Sequence, residues 1–333
     1  MIHLPPAQPP ILLVVVDTEE EFDWSAPFDR AQTGVTHMRA IGRLQALFDE
    51  WKVRPAYVVD YPIASQEESA RELRSIHESG RCEIGAHLHP WVSPPHDEEV
   101  NPRNSYPGNL PRELEREKLA RLAQAIERSL GVRPRTYKAG RYGFGPNSAA
   151  ILDELGFEVD LSPAPPLDFA GDGGPDYSRF RNEPFWCDGE RRLLCVPSSG
   201  GYVGFLRGLP GLYRAAIAPA LAWTRLPGIL SRLRAIDRLR LSPEGYRPNH
   251  HRRVTRSLLA RGVRVFSFCF HSPSVKPGCT PYVQSERELE QFLDACRRYF
   301  QFFLGELRGV TMTPLELRRH LESFDGSSRE THA

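Results

Sequence analysis

Residues 11–24 read ILLVVVDTEEEFDW: six apolar side chains in a row, then a polar stretch opening at Asp17. A run this short, closed abruptly by acids, suits a strand buried on both faces better than a helix. The pattern recurs in PAYVV (55–59), CEIG (82–85), TYKA (136–139), FEVDL (157–161), LLCV (193–196), VRVFSFCF (263–270) and GVTM (309–312). Apolar residues at three- and four-residue intervals mark helices over roughly 35–52, 66–79, 111–130, 146–155, 251–261 and 285–304. The alternation predicts βα units and a mostly parallel sheet, hence a distorted (β/α) barrel of seven or eight strands.

The chain has 333 residues, 40% of them hydrophobic and 26% charged, which is enough to bury one large core, and a single domain over 1–333 is expected. Residues 163–190 read as a long loop, and about 200–262 as an insertion outside the βα rhythm. Within 207–264 stand thirteen Arg and two acids, Asp237 and Glu244, an excess of +11 in a chain of net charge +1. Leu226, Ile229, Leu230, Leu233 and Ile236 fall at helical spacing there, bordered by Arg225, Arg232, Arg234 and Arg238. That pattern fits a helix packed on the barrel, or one that meets an anionic membrane surface or a phosphate-bearing, lipid-linked sugar, and Pro210, Pro219, Pro227 and Pro243 break the segment into short pieces. No nucleic-acid reading motif accompanies the arginines, so nucleic acid is not an expected partner.

Cys82, Cys187, Cys195, Cys269, Cys279 and Cys296 show no CxxC spacing and are expected to be reduced and structural. The run Ile11–Val16 is far too short to span a bilayer, and the N-terminal residues lack a basic leader. A cytoplasmic protein is expected, with residues 207–264 as the candidate membrane contact.

In a barrel the chemistry sits at the C-terminal ends of the strands. Asp17 and Glu19, two apart, leave an extended segment on one face and can divide the work of general base and metal ligand; the plainer reading is solvated acids before a helix. His87 and His89 in EIGAHLHPW (83–91) repeat that spacing with nitrogen donors. YKAGRYGFGP (137–146) sets Lys138, Arg141 and Tyr142 among glycines, an oxyanion-binding arrangement or a simple surface turn. His271 follows the apolar run of VFSFCFHSPS (265–274), where a barrel would deliver a catalytic acid.

Read in order, the four clusters resemble the polysaccharide deacetylase family, also called NodB-homology or carbohydrate esterase family 4, over roughly residues 11–161 and 263–315. The resemblance implies a metal-dependent hydrolase that removes an N-acyl group, most often N-acetyl, from an amino sugar or polysaccharide. It implies Asp17 as general base, Glu19, His87 and His89 as ligands of a divalent ion such as Zn²⁺, Tyr142 as a backbone oxyanion donor beside Lys138 and Arg141, and His271 as general acid. Asp160 resembles the acid that orients a catalytic partner. Three positions depart from the family pattern: Trp91 stands where the second histidine is usual, Lys138 where Arg is common, and Glu19 where Asp is frequent. A deformylase or amidase acting on a lipid-linked sugar, and a sugar-binding barrel without catalysis, stay open as alternatives.

Overall fold

A computed structural model describes residues 1–217 and 226–330, with side chains to 323. Pro219 and Arg225 of the Arg-rich segment lie outside the described residues. Eleven strands appear among the described residues: β1 (Ile11–Thr18), β2 (Ala56–Val59), β3 (Glu83–Leu88), β4 (Thr136–Ala139), β5 (Val159–Asp160), β6 (Phe185–Trp186), β7 (Leu194–Cys195), β8 (Gly200–Val203), β9 (Asp237–Arg240), β10 (Val265–His271) and β11 (Val310–Thr311). Each of the eight apolar runs overlaps a strand, and β1, β3 and β10 extend beyond theirs.

The main sheet runs β10-β1-β2-β3-β4-β5-β7-β6, parallel except for the β6–β7 pair, while β11 pairs in parallel with the first two residues of β1. It is a (β/α) barrel left open between the two ends of this sheet, β6 and β10. Segments after β7 and β9 fill that opening: Ser267 N donates to Ser199 Oγ (2.9 Å), Ser267 Oγ to the Pro197 carbonyl (3.1 Å) and Cys269 N to the Leu241 carbonyl (3.2 Å). The region expected to be an insertion therefore supplies part of the barrel wall.

Strand parity sorts the core into two layers. Ile11, Leu13, Val15, Val58, Val159, Leu194 and Val265 pack together inside the barrel, while Leu12, Val14, Val16, Phe266, Phe268 and Phe270 pack outward against the helices. Burying both faces is what makes these strands read as continuous apolar runs. Because side chains alternate, the next inward positions beyond Val15 and Cys269 are Asp17 and His271, which are register partners on β1 and β10; His87 and Lys138 are partners on β3 and β4.

The region 200–240 does not form the expected helical stripe. One helix ends at Arg232, Asp237–Arg240 is a strand paired antiparallel with β8, and Ile236 is fully buried whereas Leu233 is 66% exposed. Side chains spaced for one helix face thus leave on different faces once the backbone becomes extended. The cysteine expectation is also corrected: Cys187 and Cys195 form a disulfide across the β6–β7 hairpin (Cα–Cα 6.2 Å), while Cys82, Cys269, Cys279 and Cys296 are free. Hairpin pairing brings residues eight apart in sequence together, which spacing motifs do not register. A disulfide persists in oxidising surroundings, so the cysteines lend no support to a cytoplasmic setting. Among the described residues, no helix is long and apolar enough to cross a membrane.

Candidate metal and acid–base site

Glu19, His87 and His89 meet at the C-terminal mouth of the barrel, all 2% exposed. The Nε2 atoms of His87 and His89 lie 3.3 and 3.5 Å from Glu19 Oε2. Each imidazole is turned by a bond at its other nitrogen: His87 Nδ1 donates to the Lys138 carbonyl (2.9 Å) and His89 Nδ1 to Glu20 Oε2 (2.8 Å). Those bonds set the tautomer that leaves both Nε2 lone pairs aimed at one point, as metal-binding histidines require. Glu19 Oε1 is buried without a hydrogen-bond partner, an arrangement that costs free energy unless a cation takes it up. The residues present therefore fit a divalent ion with two nitrogen ligands and one carboxylate.

Trp91 occupies the position where the family places its second histidine, and it stacks on His89 at 4.2 Å between ring centroids. It packs against the imidazole plane, and the nitrogen donor beside Glu19 comes instead from His89, two residues earlier. Gly140 makes the packing of the β4 turn possible, since a Cβ there would stand 2.4 Å from the Leu88 carbonyl and 2.5 Å from His89 Cδ2. Glu20, Asp60 and His89 also cluster. Asp60 there is already engaged, its Oδ1 accepting from Ile63 N (2.8 Å) and its Oδ2 from Glu20 N (2.7 Å), while Glu20 meets His89 through Oε2 and leaves Oε1 buried without a hydrogen-bond partner. Burial pushes the Glu20 carboxyl up to about 8 and Asp60 well above its usual range, so this pair supports His89 instead of forming a second cation site.

Beside the ligand triad, Lys138 Nζ grips both oxygens of Asp17 at 2.6 and 2.5 Å. Burial opposes the Asp17 charge, but Lys138, then His87 and His271, outweigh it and hold the carboxyl below its usual value. Opposite stands His271, whose Nε2 lies 3.8 Å from Asp17 Oδ2 and whose Nδ1 donates to Glu244 Oε2 (2.7 Å). Burial works against the imidazolium, yet Glu244 first, with Glu19 and Asp17, pushes His271 up to about 10. The site thus holds a committed carboxylate and a committed imidazolium side by side.

Glu244 was not among the residues singled out from sequence. Its signal was faint: one of two acids among thirteen arginines, twenty-seven residues before the histidine it serves. Asp160, expected to orient a catalytic partner, does not reach this cluster. Val159 and Leu161 point into the barrel, so the intervening Asp160 faces out and accepts from Ser162 N (3.1 Å). Ser162 Oγ in turn accepts from Ala139 N (2.8 Å), so Asp160 steadies the end of β4 through its neighbour.

Arg141 and Tyr142 form a turn with φ of 52° and 59°, in the left-handed region that non-glycine residues rarely adopt. The Arg141 guanidinium packs 4.1 Å over the Tyr106 ring and bonds to Ser105 Oγ (2.6 Å) and to Asp172, so it braces the cavity wall. Tyr142 lies over the opening, with Lys138 Nζ 5.1 Å from its ring centroid, its carbonyl accepting from Tyr177 Oη (2.7 Å) and its hydroxyl bonded to Arg240. Asp17, Glu19, both histidines, Lys138 and His271 all line one cavity of about 330 Å³, walled by Trp24, Phe28, Trp91, Phe169 and Tyr282.

No protein-family model matches the sequence, and no curated protein matches it. Solved structures do. A Mycobacterium smegmatis protein assigned to the polysaccharide deacetylases superposes with a TM-score of 0.53 at 15% identity, covering 98% of this chain and 95% of that one. PuuE allantoinase gives 0.56 at 15% identity, over 97% and 94% of the two chains. A Pseudomonas aeruginosa PAO1 protein, also assigned to the polysaccharide deacetylases, gives 0.52 at 15% identity over 93% and 90%. The resemblance carried by four short motifs thus extends to nearly the whole chain as three-dimensional likeness, and the chain has the barrel fold shared by these polysaccharide deacetylases and this allantoinase.

Proposed function

We propose that the protein is a metal-dependent hydrolase that removes an N-acyl group, N-acetyl in the first instance, from an amino sugar. The observation that carries this reading is the convergence of Glu19 Oε2, His87 Nε2 and His89 Nε2 within 4.8 Å of one another, beside Asp17 and His271 in one cavity. Two imidazoles and one carboxylate favour Zn²⁺. When bound, such an ion lowers the pKa of a water and polarises the acyl carbonyl.

The protein's own groups account for the proton transfers. Asp17, kept ionised by Lys138, accepts the proton of the attacking water. The N–H of Tyr142, on its strained turn, is the donor for the oxygen that becomes negative. His271, kept protonated by Glu244, gives its proton to the departing amine nitrogen, which would otherwise leave as a poor anion. The aromatic wall supplies flat apolar faces suited to the C–H faces of a sugar ring.

Elemental analysis of the purified protein tests the reading: one divalent ion per chain is expected, and His87→Ala should lose it together with hydrolysis of N-acetylated amino sugars. His87→Ala protein that keeps the full metal content refutes the site.

A second part of the reading concerns location. Phe205 (70% exposed), Leu209 (56%), Leu233 (66%) and Ile229 (47%) stand in solvent on the Arg-rich lobe near Arg207 and Arg234. Exposed apolar groups mixed with arginines fit peripheral contact with anionic lipid, each Arg adding about 1 kcal/mol near the surface. Sedimentation with anionic vesicles at low salt should carry the protein down, whereas equal binding to neutral vesicles, or none, removes this element.

A further inference from the structure

The catalytic cavity opens past Tyr142, His271 and Tyr282 into a second lobe of about 370 Å³. Its far wall is β9, where Arg238 and Arg240, two apart on one strand face, both line the lobe, while Leu239 between them is buried on the other side. Arg238 lies 5.7 Å over the Tyr213 ring, and Arg240 lies 5.0 Å over the Tyr142 ring while bonding its hydroxyl. Among the described residues neither guanidinium is recorded with a carboxylate partner. The acid of the same strand, Asp237, is taken by Ser231 Oγ (2.7 Å) and Arg253 (3.4 Å).

The lobe's own acids are likewise matched. Asp17 is held by Lys138, and Glu244 by His271 and Ser274. After these pairings the lobe keeps two positive charges, half-buried, held by aromatic rings and directed at the space beside the reacting groups. Guanidinium forks arranged this way recognise phosphate or carboxylate oxygens, and partial burial strengthens the attraction.

We propose that this lobe is an anion subsite, and that the substrate carries a phosphate or carboxylate group next to the acylated amine, held by Arg238 and Arg240. The substrate part of this inference rests on the deacylase reading above; the binding part does not.

The experiment therefore has two arms. In the first, inorganic phosphate and acetate are titrated calorimetrically into the metal-containing wild type, Arg238→Gln and Arg238→Lys. Charge-assisted contacts predict phosphate binding about 10- to 100-fold weaker in Arg238→Gln, with most of the affinity kept in Arg238→Lys; anion held only at the metal would be equally tight in all three. The stronger of the two wild-type ligands tells phosphate from carboxylate. In the second arm, N-acetylglucosamine, its 1-phosphate and a carboxylate-bearing N-acetylated amino sugar are compared as substrates. Arg238→Gln should lower kcat/KM for the anionic compound about 10-fold or more beyond any change for the neutral one. Arg238-dependent anion binding without hydrolysis of any substrate supports the subsite and defeats the deacylase reading. Equal phosphate and acetate affinities in folded wild type and Arg238→Gln, judged by matching thermal melts, overturn the subsite whatever the enzyme hydrolyses; a variant that does not fold passes the decision to Arg238→Lys and to Tyr213→Leu, which removes the ring beneath Arg238 and should weaken phosphate binding too.

Discussion

Replacing Glu244 by Gln removes a charge from the partner of His271 while keeping an oxygen that can accept from Nδ1. In the wild type the imidazole is carried from its ordinary 6.5 to about 10, with Glu244 the largest favourable contributor. At 1.36 kcal/mol per pH unit that difference is roughly 5 kcal/mol in favour of the imidazolium, and with the side chain only 19% exposed, solvent screening removes little of it. Glu19 and Asp17 remain in the variant, so only part of the effect should go. The sign follows from the charge type. A cationic acid is competent below its pKa, so lowering that pKa removes activity from the alkaline side inward. Profiles of kcat between pH 6 and 10 on an N-acetylated amino sugar should show the alkaline limb of Glu244→Gln displaced downward by about one pH unit or more, while an activated acetyl ester, whose leaving group needs no proton, should lose far less. Metal content is measured alongside. An unmoved alkaline limb in a folded, metal-loaded variant would refute the assignment of Glu244 as the group that keeps His271 charged.

Three further outcomes are expected. Asp17→Asn should keep its metal and lose about two to four orders of magnitude in turnover, as measured by steady-state kinetics with elemental analysis, whereas joint loss of metal and activity would make Asp17 a ligand. Lys138→Met leaves the buried Asp17 carboxylate without its two short bonds and should lower unfolding free energy by about 3–5 kcal/mol in denaturant titrations; the double variant with Asp17→Asn should recover most of it, and a single-variant loss under about 1 kcal/mol would contradict the pairing. His251 is buried with Nε2 donating to the Ser242 carbonyl (2.7 Å), and burial lowers it to about 4. Below pH 6.5 the unfolded chain takes up a proton that the folded one refuses, so stability should fall by about 3 kcal/mol as pH drops from 6.5 to 4, and His251→Gln should flatten that part of the stability–pH curve.

Much of the architecture was readable in one dimension because parallel strands covered on both faces are locally apolar without interruption, and helices between them keep a 3.6-residue period. The same regularity exposed Asp17 with Glu19 and His87 with His89, since a period of two, carried one residue past the ends of β1 and β3, turns each pair to the inner side. What local pattern does not encode is which distant segment fills the gap beside β10. Glu244 and Arg240 reach the site because the sheet is open beside β10 and β9 with the chain that follows it closes the gap, a tertiary event that made an apparent insertion part of the cavity wall. The helical stripe through Ile236 failed because pairing with β8 outweighed periodicity, and Asp160 was turned outward by strand parity against a floor of Val159 and Leu161. Trp91 shows the division most clearly: its sequence position marks a departure from the family pattern, but only the folded chain stacks that ring on His89. Sequence alone determined the alternation of buried strands and the chemical types at their ends, because those are local properties; the pairing of charges across 121 residues from Asp17 to Lys138, or 27 from Glu244 to His271, depends on which strands become neighbours, and so belongs to the tertiary structure.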